Sequence, residues 1–147
     1  MSPLNDDPQR QLLECIDTIE RGYEFFLAYA AQGYEDEKSS THGGQLRESL
    51  QAMIDAVTRL DGLLTRLESE GDEEDQTGLP AFSPVVANDA ANSLAALSLV
   101  EAQPRISSQL IDNLNASVHL RALLTDLFLL GEILVPGADE ALTESQG

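Results

Sequence analysis

Basic residues are scarce in this 147-residue chain: 8 Lys+Arg stand against 26 Asp+Glu, a formal net charge of −18. That deficit excludes a nucleic-acid binder working through a basic face, because phosphate is gripped mainly by Lys and Arg. Cysteine is almost absent too. The lone Cys15 can form neither an intramolecular disulfide nor a four-cysteine zinc site. Its place within an apolar repeat reads as a small buried hydrophobe. Long apolar runs are missing as well. The most apolar stretch, 120–135, is interrupted by Arg121, Asp126 and Glu132 and is too short to span a bilayer. Met1–Asp7 has no basic flank and no apolar run after it, so no secretory signal is expected. The expectation is a cytoplasmic protein with no membrane and no nucleic-acid partner.

Chemical motifs are equally sparse. A di-iron bundle needs Glu-x-x-His on two helices, but Ala116 and Ser39 stand three residues before His119 and His42. No His-Glu-x-x-His, Gly-rich phosphate loop or EF-hand loop occurs. No cofactor, metal or catalytic set is therefore assigned.

What the chain does contain is apolar residues, 42% of the total, arranged at helical spacing. Asp7 and Pro8 form a capped helix start. Leu12, Ile16, Ile19, Tyr23, Phe26 and Ala30 then recur at alternating intervals of 4 and 3, a heptad seam. Gly22 predicts the close approach of a neighbouring helix, and Gly33 predicts a helix stop. Leu46, Leu50, Met53, Val57, Leu60, Leu64 and Leu67 repeat the same rhythm over 45–69, with Asp55 and Arg59 placed to pair across one turn. The segment 70–80 is acidic and rich in Gly and Pro, which reads as a flexible loop. Ser83 and Pro84 predict the start of an alanine-rich third helix. Pro104 either ends that helix or kinks it. A fourth helix is expected from Ile106 to between Gly131 and Val135, with Leu110, Leu114, Val118, Leu124 and Phe128 on its stripe.

These segments predict an all-α fold, an antiparallel up-down four-helix bundle. The expected domain covers 1–135, with a flexible acidic tail at 136–147. The acidity gathers in the predicted connections and the tail, which favours a basic partner.

Two polar stripes are candidates for chemistry. Asp112, Asn115, His119 and Asp126 fall near one face of the fourth helix, where Asp–His geometry would suit acid–base work or metal ligation. Arg10, Glu14, Asp17, Arg21 and Glu24 line the first helix, but the interleaved arginines mark that stripe as a set of surface ion pairs. The apolar surplus is more telling. Leu120, Leu123, Leu127, Phe128 and Leu130 cover more of the fourth helix than one buried stripe requires. Phe25 and Tyr29 fall off the seam of the first. These seven residues are the expected partner-binding set. The sequence thus points to a non-catalytic protein–protein interaction module (an adaptor, assembly factor or regulator) acting as a homodimer and binding a protein partner. The alternative is a metal-binding or enzymatic bundle using His119 with Asp112 and Asp126. Mimicry of nucleic acid by negative charge ranks below both, because the excess charge avoids the helices.

Overall fold

Helix α1 (Pro8–Ala31) begins where its capping chemistry places it. The Asp7 carboxylate accepts a hydrogen bond from the Gln9 N–H at 3.1 Å, and Pro8 occupies the first turn. Its seam is buried at Leu12, Ile16, Ile19 and Phe26. Gly33, at φ +72°, follows its end in the left-handed conformation that glycine tolerates. The computed structural model describes residues 7–39, 43–70 and 78–134. They form five α-helices and one 3-10 turn, Glu37–Ser39, and no strand occurs among them.

Helix α2 (Gly43–Glu70) buries every residue of its predicted seam, from Leu46 to Leu67. It packs along α1 more extensively than any other pair of helices. A Cβ at Gly22 would come within 2.6 Å of Met53 Cε, so the close approach predicted for Gly22 is real. Asp55 and Arg59 take other partners: Gln51 donates to Asp55 at 2.9 Å, and Arg59 reaches across to Gln11 at 3.0 Å.

Helix α3 (Leu79–Glu101) starts five residues earlier than its Ser83–Pro84 signal predicts. Gly78, at φ +84°, leads into it, and Pro80 takes the first turn. Pro84 lies inside the helix, and Ser83 is hydrogen-bonded to Glu68 of α2 instead of capping. The first turn of α3 therefore takes up Leu79 and Pro80 from the predicted acidic loop. Residues 71–77 of that loop and the tail from 135 lie outside the described residues, as does the predicted domain boundary.

Pro104 separates two helices. The predicted fourth helix is itself two: α4 (Ser108–Ala116) and α5 (Val118–Leu134). Ser117 is the break. Its backbone is extended (φ −63°, ψ 143°), and its N–H closes α4 on Leu114 O at 3.1 Å. Its hydroxyl accepts from the Leu120 N–H at 3.3 Å, capping α5. The apolar repeat ran through this point, so it gave no sign of the break. The break turns α5 about its axis. Leu120, Leu123, Leu124, Leu127 and Leu130 become its buried set, while Val118 and Phe128 come to the surface.

Helix α1 packs on α2 and α4, α2 on α3, and α3 on α5; α5 touches α1 and α4 far less than it does α3. A polar clasp ties one end together. Arg47 binds Glu37 at 2.7 Å and donates to the carbonyls of Glu101 (2.7 Å), the last residue of α3, and Gln103 (2.8 Å), two residues beyond it. Beside it, the Tyr29 hydroxyl donates to Ile106 O at 2.7 Å, and the Ser108 hydroxyl donates to Tyr29 O at 2.7 Å. Burial, with Glu37 nearby, pushes the Tyr29 phenol up to about 12.

Candidate interaction surface

The polar stripe predicted on the fourth helix is dispersed by the break at Ser117. Asp112 and His119 are exposed. Asn115 is buried and turns toward α1, where its amide donates to Tyr23 O at 3.5 Å. Asp126 is buried and faces α3. Among the described residues no three His, Cys, Asp or Glu side chains come together as a metal site. On α1, Arg10 pairs with Glu14 at 3.4 Å and Arg21 with Asp17 at 3.0 Å, both in solvent. Cys15 is buried, and burial pushes its thiol up, away from the reactive thiolate.

Among the described residues Asp126 is the one strongly perturbed acid. Burial pushes its carboxyl up to about 7, and a hydrogen bond to Asp89 and the charge of that neighbour act in the same direction. Asp126 Oδ2 is fully buried and accepts no hydrogen bond. This acid pair lies in the seam between α3 and α5, one turn from Ser93, whose hydroxyl donates to His119 O at 3.0 Å. A carboxylic acid held neutral at such a seam is a hydrogen-bond donor to its neighbour, here Asp89.

The predicted partner set is largely core. Tyr29, Leu120, Leu123, Leu127 and Leu130 are buried within the chain, because α5 uses its wide apolar surface against several helices at once. Those five are not available to a partner, which corrects the sequence reading. Phe25 is half-buried beside a shallow depression lined by Gln45, Glu48, Ser49 and Ala52 of α2. Phe128 is exposed, on the flank of α5 next to Leu124.

Apart from Phe128 of α5 and Leu27 of α1, the exposed large apolar side chains of the described residues lie on one face of α3 and α5. Val85 (44% exposed) and Leu99 (66%) on α3 and Val118 (71%), Leu129 (52%) and Ile133 (62%) on α5 are large apolar side chains in solvent. Helical geometry places them together. Asp89 and Asp126 mark where α3 and α5 face each other. Val85 is one turn from Asp89, and Leu129 and Ile133 are one and two turns beyond Asp126, on the solvent side of the seam. Ser93 against His119 and Asp89 against Asp126 bring the start of α3 alongside the end of α5. Val85 therefore lies at the same end as Leu129 and Ile133.

Charge sets this face apart. The exposed residues of α1, α2, α4 and α5 all include acids or arginines, whereas no exposed residue of α3 carries a charge. Its two acids, Asp89 and Glu101, are half-buried. In a chain of net charge −18 such a face is conspicuous. The sequence did hold the signal: 79–100 contains Asp89 as its only charged residue. The alanines masked it, since they suit a buried face as well as an exposed one. Comparison with family models, with curated proteins and with solved structures finds no match to this chain.

Proposed function

We infer that this chain is a non-catalytic helical interaction module, an adaptor, assembly factor or regulator that works by docking a protein on the outer face of α3 and α5. The observation that carries the reading is the concentration of exposed large apolar residues along that seam, beside a helix face without charge. Exposed apolar patches of this kind typify binding surfaces. The bundle behind it supplies rigidity: an up-and-down arrangement of four members, with α4 and α5 as two halves of the fourth. A cytoplasmic setting accords with a single, buried, unpaired thiol. The metal or catalytic alternative at His119, Asp112 and Asp126 draws no support from side chains that point apart.

The test uses the full chain as bait, with Leu129 and Ile133 both changed to Asp. These positions are exposed, so the fold tolerates the change. The double variant is expected to lose the complexes that wild type forms, with itself or with other proteins, while Thr58→Asp on α2 keeps them. A wild-type chain that stays monomeric at every concentration and retains no protein would overturn the reading.

A further inference from the structure

We propose that the occupant of the α3–α5 face is a second copy of this chain, with α3 pairing antiparallel to α3 of the partner subunit across a two-fold axis beside Ala90. The inference rests on reading that face as an interaction surface and goes on to name its partner.

Ala81, Val85, Asn88, Asn92, Ala95 and Leu99 are all exposed, and they follow one another at 4, 3, 4, 3 and 4 residues. That is the spacing of a coiled-coil seam, and α3 carries it in addition to its buried one, Val86, Ala90, Ser93, Leu97 and Val100. Within one chain it faces solvent. An antiparallel two-fold at Ala90 matches the seam to itself. Ala81 then meets Leu99 of the partner subunit, Val85 meets Ala95 of the partner subunit, and Asn88 meets Asn92 of the partner subunit. Each large side chain falls opposite a small one, as interdigitated packing needs. The central asparagines are self-compatible, because a carboxamide both donates and accepts.

Helix α5 obeys the same axis. Asp89 against Asp126 and Ser93 against His119 bring Thr125 level with Ala90. The axis then sets Val118 alongside the segment that holds Leu129 of the partner subunit and Ile133 of the partner subunit, and Ala122 near Leu129 of the partner subunit. Arg121 and Glu132, both exposed on α5, are of opposite charge type and lie on opposite sides of the axis. Each would therefore approach its counter-charge in the other copy.

Net charge decides where two copies can meet. At −18 each they repel, yet salt screens charges more than about 8 Å apart at physiological strength. The costly arrangement is carboxylates directly apposed and desolvated. The α3 face avoids it, since it exposes none. Self-association on this face should therefore strengthen as salt rises. A complex with a basic protein should weaken, because screening removes its attraction.

The experiment is sedimentation velocity on the full chain at about 50 and about 500 mM salt, with circular dichroism to confirm helix content. The expected result is a dimer that tightens with salt. Val85→Lys and Ala95→Glu, each present twice in a two-fold interface, should each weaken it about tenfold or more, the effect of roughly 1.4 kcal/mol. Combined in one chain they place opposite charges in contact across the axis, and the dimer should recover. A wild-type monomer at every concentration overturns the proposal, as does a dimer indifferent to both single variants or one that the double variant fails to restore. A monomer that still captures a basic protein, in a complex lost with Leu129→Asp/Ile133→Asp and weakened by salt, defeats self-pairing while leaving the interaction reading intact.

Discussion

Helices α2 and α3 are built from the same heptad spacing and put it to opposite uses. Helix α2 has one seam, from Leu46 to Leu67, wholly buried, with Glu48, Asp55, Arg59 and Asp61 in solvent behind it. Helix α3 has two seams, one buried around Val86 and Leu97 and one exposed around Val85 and Leu99, with no charged residue between them in solvent. The difference teaches that spacing alone identifies a helix, whereas contrast between its faces identifies which side is core. The largest effect that tests this comparison lies in stability. Leu60→Ala should cost about 2–5 kcal/mol in urea unfolding, the cost of emptying a fully buried leucine site. Val85→Ala, on the outer seam of α3, should change the stability of the monomer by no more than about 0.5 kcal/mol. Comparable losses at both sites would mean that the outer seam is interior after all.

The same contrast explains what could be read in advance. Helices α1 and α2 have charged backs and greasy fronts, so their seams and approximate ends were legible, as was the close approach at Gly22. The start of α3 was misplaced because Ser83–Pro84 imitates a helix entry, and its true entry uses the permissive backbone of Gly78 ahead of Pro80. The break at Ser117 was hidden because Leu110, Leu114 and Val118 keep helical spacing through it. A serine that caps the next helix looks like any polar residue until the backbone around it is known. Four leucines of α5 expected at a partner surface are core because α5 is apolar over much of its circumference, and nothing in one sequence says how many neighbours share it. The role of Arg47 was not legible because its partners, Glu37 and the carbonyls of Glu101 and Gln103, come from two distant places in the chain.

The acid pair sharpens the comparison through pH. Helix α2 keeps Glu48, Asp55 and Asp61 in water, while α3 and α5 bring Asp89 and Asp126 together in their seam. The Asp126 carboxyl rises from its ordinary 3.8 to about 7 on folding. Between those values the folded chain holds a proton that the unfolded chain has released. Stability therefore falls as pH rises through that window, by at most about 1.4 kcal/mol per pH unit from this group, and the loss is complete above about 7. Asp126→Asn should flatten the profile between about pH 4 and 7 and be the more stable protein at pH 8. Identical profiles for the variant and wild type, measured by urea unfolding across that range, would remove the acid pair from the account.

The clasp at the other end of α3 gives a smaller effect. Arg47→Ala removes the cation facing the buried Glu37 carboxylate and the donors on the Glu101 carbonyl that ends α3 and the Gln103 carbonyl just beyond it. The expected loss is about 2 kcal/mol. Arg47→Lys should recover only part of it, because an ammonium is a compact charge that lacks the planar fork of a guanidinium. Full recovery by lysine would show that charge alone, without that geometry, holds the end of α3.

The smallest effect separates a packed helix face from an open one at the level of a single methyl group. Gly62 on α2 has nothing within 4 Å of where a Cβ would sit, whereas at Gly22 on α1 that Cβ would meet Met53 Cε at 2.6 Å. Both glycines carry the same helix penalty, so alanine at either site gains about 0.5–1 kcal/mol in backbone terms. Gly62→Ala should show that gain as a higher urea midpoint. Gly22→Ala must also displace the end of Met53, which is flexible but fully buried, and the two contributions should nearly cancel. A second change, Met53→Leu in the Gly22→Ala background, shortens the obstructing side chain. If contact with Met53 is what suppresses the gain, the double variant should be more stable than additivity of the two single changes predicts.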